Sequence, residues 1–102
     1  NPLELTGSKD LEDSGTVDLT KTACYFSTDA AEPATMAAGE EGQIKTLMMS
    51  GDSGDMVITV TNPGWSSNPT GTVTFSAVGQ ACTLQYVNSK WYCIGNNGAN
   101  FA

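Results

Sequence analysis

Apolar and polar residues alternate in several short runs of this chain, which is the pattern of strands with one buried face. Residues 55–62 and 71–77 each place their larger apolar side chains on one face and mainly threonines on the other. Residues 43–49 predict another strand, and residues 50–55, rich in Gly, Ser and Asp, predict a loop between it and a paired neighbour. Half-buried strands of this kind are typical of antiparallel sheets.

The last third of the chain predicts a hairpin. Apolar residues alternate up to Asn88 and Ser89, which form the predicted two-residue turn, and a second strand returns after them. This register places Tyr86 opposite Trp91 as a cross-strand aromatic pair.

The remaining segments complete the predicted fold class. Residues 15–28 indicate one or two further strands, whereas residues 30–39 are expected to be irregular because Pro33 lies among them. About six to seven short strands predict an all-β protein, with a single antiparallel β-sandwich or barrel-like domain over residues 15–102.

Residues 1–14 differ in composition from the rest, and two interpretations stay open. They form either an extended N-terminal arm or the first strand of the domain. In an arm, Leu3 and Leu5 would share one face and fill pockets at the sheet edge of another chain.

Composition narrows the range of functions. The 102 residues contain no histidine and no arginine, so the chain supplies no Ser-His-Asp triad, no imidazole base and no bidentate phosphate clamp. Four lysines against eleven acidic residues give a formal net charge of −7, which repels nucleic acid and anionic membranes. No apolar run approaches the roughly 20 residues of a membrane-spanning helix. We expect neither nucleic acid nor a membrane as a partner.

The three cysteines leave at least one thiol unpaired in a single chain. The hairpin register places Leu84 opposite Cys93, and Cys82 then lies about 7–8 Å from Cys93 on the diagonal, too far for an easy disulfide. We therefore expect three buried, reduced thiols, which suits assembly in a reducing cytoplasm.

Candidate catalytic groups are few. The acidic residues considered for catalysis all fall in predicted loops without an apolar pocket: Asp10, Glu12, Asp13, Glu40, Glu41, Asp52 and Asp55. Asp52 and Asp55 lack the spacing of a calcium-binding loop, and no cysteine has a histidine to activate it. We predict that the protein is not an enzyme and binds no metal or cofactor.

Trp65 is the candidate binding residue outside the arm. It lies in a loop rich in Gly, Ser, Asn and Pro, where an exposed indole would stack on a sugar ring or anchor a protein contact. The alternative is that Trp65 caps one end of the sandwich core.

Four segments carry a resemblance to a known family. They are GEEGQIK at residues 39–45, DMVITVTN at 55–62, GTVTF at 71–75 and LQYVNSKW at 84–91. Together they resemble a small β-domain of structural proteins in tailed bacteriophages, with marine phages and cyanophages as the examples. The likeness covers most of residues 39–101.

The resemblance implies a capsid decoration (cement) protein, commonly trimeric and without catalytic residues. We accordingly expect a homotrimer that binds the major capsid protein on the outer surface of the virion and stabilises the shell. Leu3, Leu5 and Trp65 are the expected contact residues. Two alternatives stay open: a head or tail fibre module, and a carbohydrate-binding module that uses Trp65 to contact the host surface.

Overall fold

The computed structural model describes residues 8–12, 15–17 and 19–102. These residues form ten strands and no helix. In chain order the strands are β1 (Ser8–Glu12), β2 (Gly15–Thr16), β3 (Ala23–Ser27), β4 (Glu32–Met36), β5 (Ile44–Gly51), β6 (Met56–Thr61), β7 (Thr70–Phe75), β8 (Ala81–Val87), β9 (Lys90–Asn97) and β10 (Asn100–Phe101). Sheet A has the order β1-β3-β5-β8-β9, and sheet B has the order β10-β7-β6-β4-β2.

The prediction of an all-β fold is confirmed, but the prediction that the sheets are purely antiparallel is wrong. β1, β3 and β5 pair in parallel in sheet A, and β2, β4 and β6 pair in parallel in sheet B. The other pairings are antiparallel. The described residues contain more strands than the six to seven expected, and their two open sheets pack together without closing into a barrel.

The parallel pairings arise because the first six strands alternate between the two sheets. β5 and β6 were expected to pair, yet they lie in opposite sheets, and the loop between them crosses the sandwich. That loop stacks on the β3–β4 loop, where the Ser53 N–H donates to the Thr28 carbonyl at 3.0 Å. Parallel neighbours need a crossover connection, and here a strand of the opposite sheet supplies it. Alternation of apolar and polar residues predicts which face of a strand is buried, but it does not predict which strand is the partner.

The prediction that residues 30–39 are irregular is also wrong, because Glu32–Met36 form β4. Pro33 is compatible with this strand because of the side on which its missing N–H would lie. The Glu32 N–H donates to the Asp55 carbonyl on the β6 side, so the next residue faces the other neighbour, β2. Among the described residues, β2 pairs with Ala34 and Thr35 and not with Pro33, so the missing N–H faces no described partner.

The C-terminal hairpin is confirmed. Tyr86 pairs with Trp91, and their rings meet edge to face at 5.1 Å. The turn residues Asn88 and Ser89 have φ values of 55° and 67°, which is the signature of a type I′ turn.

The core lies between the inner faces of the two sheets. Phe26 of β3 and Phe75 of β7 meet there edge to face, with ring centroids 4.9 Å apart. The larger fully buried side chains are Trp91, Phe26, Lys45, Phe75, Met36, Leu47, Met49, Met56, Ile58 and Leu84. Met56, Ile58 and Val60 all point inward from β6, as their alternation predicted.

Candidate interaction surface

On the outer face of sheet A, four adjacent strands combine exposed apolar side chains with an absence of acidic residues, whereas the edge strand β1 contains Asp10 and Glu12. β3, β5, β8 and β9 contain no Asp or Glu, and of their two lysines Lys45 is buried and Lys90 lies at the hairpin turn. Pairing across the sheet places Ile44, Gln85 and Tyr92 in one row. Ile44 is 42% exposed and Tyr92 is 40% exposed. The other apolar members of this surface, which we call the apolar face, are Tyr25, Met48, Ala81 and Val87.

The described residues on the outer face of sheet B are uncharged, and most of them are threonines. The pairing register aligns one threonine from each of four neighbouring strands: Thr16, Thr35, Thr59 and Thr72. The Thr16 and Thr35 hydroxyls lie 3.4 Å apart. A second row pairs Thr61 with Thr70. We call this surface the threonine face.

Outside β1, the described acidic residues lie in the loops at the two ends of the sandwich, apart from Glu32 at the start of β4. β1 contains Asp10 and Glu12, so the prediction that these two residues lie in loops is wrong. Asp29, Asp52 and Asp55 lie in the β3–β4 and β5–β6 loops, and Glu40 and Glu41 lie in the β4–β5 loop. The Asp52 carboxylate accepts the Gly54 N–H at 3.1 Å, and the Glu41 carboxylate accepts the Asn88 N–H at 3.0 Å. These loop carboxylates therefore lie at the ends of the sandwich and not within either sheet.

The segment GEEGQIK, one of the four that carry the phage resemblance, has a structural role in this fold. The Gln43 amide donates to the Leu19 carbonyl at 2.9 Å, and the buried Lys45 ammonium donates to the Lys21 carbonyl at 2.5 Å. Both side chains therefore connect the β2–β3 loop to β5 through hydrogen bonds. Gly39 lies against Trp91, where an added Cβ would come within 2.7 Å of the indole ring.

Trp65 packs within its own chain at one end of the sandwich. Its ring meets the Phe101 ring edge to face at 4.8 Å, and its indole N–H donates to the Ala102 carbonyl at 3.2 Å. The side chain stays half-buried, with part of its surface accessible. Its role in a partner contact stays a prediction, and Leu3 and Leu5 lie outside the described residues.

The prediction of three buried thiols is correct for Cys24 and Cys82 and wrong for Cys93, which is exposed. Cys93 pairs with Leu84 as predicted, but it lies on the edge strand β9, where neighbouring residues are exposed as well. Burial, and secondarily the nearby Cys93, raise the pKa of the Cys82 thiol to about 12. A thiol with this pKa stays protonated at neutral pH and is a poor nucleophile.

Two further features of the structure bear on metal binding and on membrane insertion. Among the residues that the structure describes, no three His, Cys, Asp or Glu side chains are grouped in a way that would hold a metal ion. The same part of the chain includes no helix of the length and hydrophobicity needed to cross a bilayer.

Sequence reasoning did not find the apolar face, because its members come from four strands whose order depends on the topology. One signal was available: the segments that form these strands lack acidic residues in a chain with eleven of them. In comparisons with known proteins, the chain matches no protein-family model and no curated protein sequence.

Proposed function

We propose that the protein is a structural protein of a tailed-phage virion, which binds the outer capsid surface as an oligomer and stabilises the shell. The observation that carries this proposal is the apolar face. A chain with net charge −7 keeps acidic side chains off four adjacent strands and exposes Tyr25, Ile44, Val87 and Tyr92 there. Apolar patches of this kind mark protein contacts, and aromatic residues are enriched in such contacts.

The size of the apolar face explains why this binding requires several copies. Four strands about 4.8 Å apart and roughly 20 Å long present on the order of 400 Å². Stable interfaces bury about 800 Å² on each partner, so a single copy binds the capsid weakly. Linked copies raise the effective affinity by about 10²–10⁴-fold through avidity. In this proposal, stable binding to the capsid therefore depends on oligomerisation.

The test of location is immunogold labelling of virions produced by the genome that encodes the chain, with antibody raised against the purified protein. Label distributed over the capsid shell supports the decoration role. Label confined to tail or head fibres would replace that role with the fibre alternative, and virions without label would refute a virion role.

A glycan array tests the carbohydrate-binding alternative in parallel. The decoration role predicts no sugar signal, and it predicts that Trp65→Ala leaves capsid binding within about twofold because the indole is already engaged with Phe101 and Ala102. A sugar signal that Trp65→Ala abolishes would contradict the decoration role and favour a carbohydrate-binding module.

A further inference from the structure

The outer edge of β9 is covered along only part of its length. At Trp91 the loop after β6 covers the edge: the Trp91 N–H donates to the Asn62 carbonyl at 2.9 Å, and the Gly64 N–H donates to the Trp91 carbonyl at 2.6 Å. From Cys93 to Asn97, no described strand pairs with β9 on this side. All five of these residues are exposed, and Ile94 is 56% exposed.

This open stretch of β9 has little of the protection that edge strands usually carry. Natural edge strands discourage pairing through charged residues, proline, bulges or a covering loop. The stretch from Cys93 to Asn97 contains no charged residue and no proline, and its one protective feature is a register shift opposite Thr83 and Leu84. The opposite edge strand of the sheet, β1, has three charged residues among its five.

We propose that this edge of β9 accepts residues 1–7 of a second copy as an added strand. Leu3 and Leu5 alternate with polar residues and would present one apolar face beside Ile94, while backbone hydrogen bonds complete the edge. No like charges oppose each other in this contact, because Glu4 is the one charged side chain among residues 1–7 and the open stretch of β9 contains none.

Chain geometry requires that the donor is another copy. Four strand spacings separate β1 from β9, which amounts to about 19 Å. Leu5 lies three residues before the start of β1 and reaches at most about 11 Å from it. Residues 1–7 therefore cannot pair along β9 of their own sheet.

The contact joins two different surfaces, so each copy donates one segment and accepts another. Contacts of this type close into rings or continue as open chains. A closed ring would supply the oligomer that the capsid-binding proposal needs, but self-association through β9 does not depend on the capsid being the target.

Cysteine cross-linking tests the contact directly, because β9 already carries the exposed Cys93. Under mild oxidation with copper phenanthroline, Leu3→Cys or Leu5→Cys should form intermolecular disulfides with Cys93, identified by mass spectrometry. The same variants with Cys93→Ser should lose them. Thr35→Cys, exposed on the threonine face, is the matched control. The proposal is wrong if neither leucine variant cross-links to Cys93 more than Thr35→Cys does.

Sedimentation provides the second measurement. Deletion of residues 1–6, or Ile94→Lys in the acceptor edge, should weaken self-association by at least about tenfold while the circular dichroism spectrum stays that of the full chain. Unchanged association in both variants would overturn the proposal. Ile44→Lys, on the apolar face, should leave self-association intact. Loss of the added strand at β9 can therefore be distinguished from loss of capsid binding.

Discussion

The outer faces of sheets A and B differ in one respect that decides their use. The residues that define the apolar face and the threonine face are all uncharged, but the apolar face exposes aromatic and aliphatic side chains where the threonine face exposes hydroxyls. Burying apolar surface contributes about 25 cal/mol per Å², whereas a threonine hydroxyl must find a new hydrogen-bond partner when it loses water. The difference indicates that exclusion of charge alone does not identify a binding surface. Exposed apolar area does so here, and the threonine face is suited to contact with water.

Both faces depend on the core between them, and the largest effect should come from removing the contact that joins the two sheets. Phe75→Ala deletes a fully buried ring that packs on Phe26, and it should lower the free energy of unfolding by about 3–5 kcal/mol. Urea unfolding measures this loss. The control is Val78→Ala, at a side chain 63% exposed, which should change stability by less than about 0.5 kcal/mol. Similar losses of unfolding free energy in the two variants would show that the contact of Phe75 with Phe26 does not hold the two sheets together.

Alkaline pH should lower the free energy of unfolding, because it ionises the buried Cys82 thiol of sheet A. The pKa of the Cys82 thiol rises from 9.0 to about 12 in the folded protein. Between these values the unfolded chain binds fewer protons than the folded one, so stability falls as pH rises, by up to about 1.4 kcal/mol per pH unit. Below pH 9 the full contribution is present.

Urea unfolding of wild type and Cys82→Ala from pH 8 to 10.5 isolates this effect, because other titrating groups are common to both proteins. The wild type should lose about 2 kcal/mol more than the variant over this range. Parallel pH profiles for the two proteins would contradict the burial of this thiol.

The hairpin turn offers a smaller change that acts on sheet A alone. Ser89 has a φ of 67°, which glycine adopts without the cost of a Cβ, so Ser89→Gly should stabilise the fold by about 0.5 kcal/mol after the extra chain entropy is subtracted. Ser67→Gly, in an exposed loop, is the control and should be neutral or destabilising. Hydrogen exchange should slow in β8 and β9 relative to β6 and β7. Equal slowing in both sheets would show that the turn does not act locally.

Sequence reasoning predicted the strands better than it predicted their arrangement. Alternation assigned the buried faces of β6 and β7, and the Asn88-Ser89 turn fixed the hairpin register, because both signals are local. The pairing of β3 with β5 was not predictable, since it depends on whether a loop folds back or crosses the sandwich. Pro33 led to a wrong prediction for a related reason: a strand tolerates proline where the missing N–H faces no partner, and the neighbour on that side, β2, is distant in sequence.

The candidate site was less predictable than the fold. Trp65 stood out because tryptophan in a loop is conspicuous, and the structure places it against Phe101. Ile44 and Tyr92 become neighbours only through the pairing of β5 with β8 and of β8 with β9. No spacing of residues along the chain predicts that these side chains form a row.

Binding of matched lysine variants to purified capsids tests the central claim most directly. Ile44→Lys and Thr35→Lys each add one positive charge at an exposed strand position, the first on the apolar face and the second on the threonine face. Co-sedimentation should show that Ile44→Lys weakens capsid binding by at least about tenfold and that Thr35→Lys changes it by less than about twofold. Equal losses, or a larger loss for Thr35→Lys, would contradict the assignment of the apolar face as the contact surface.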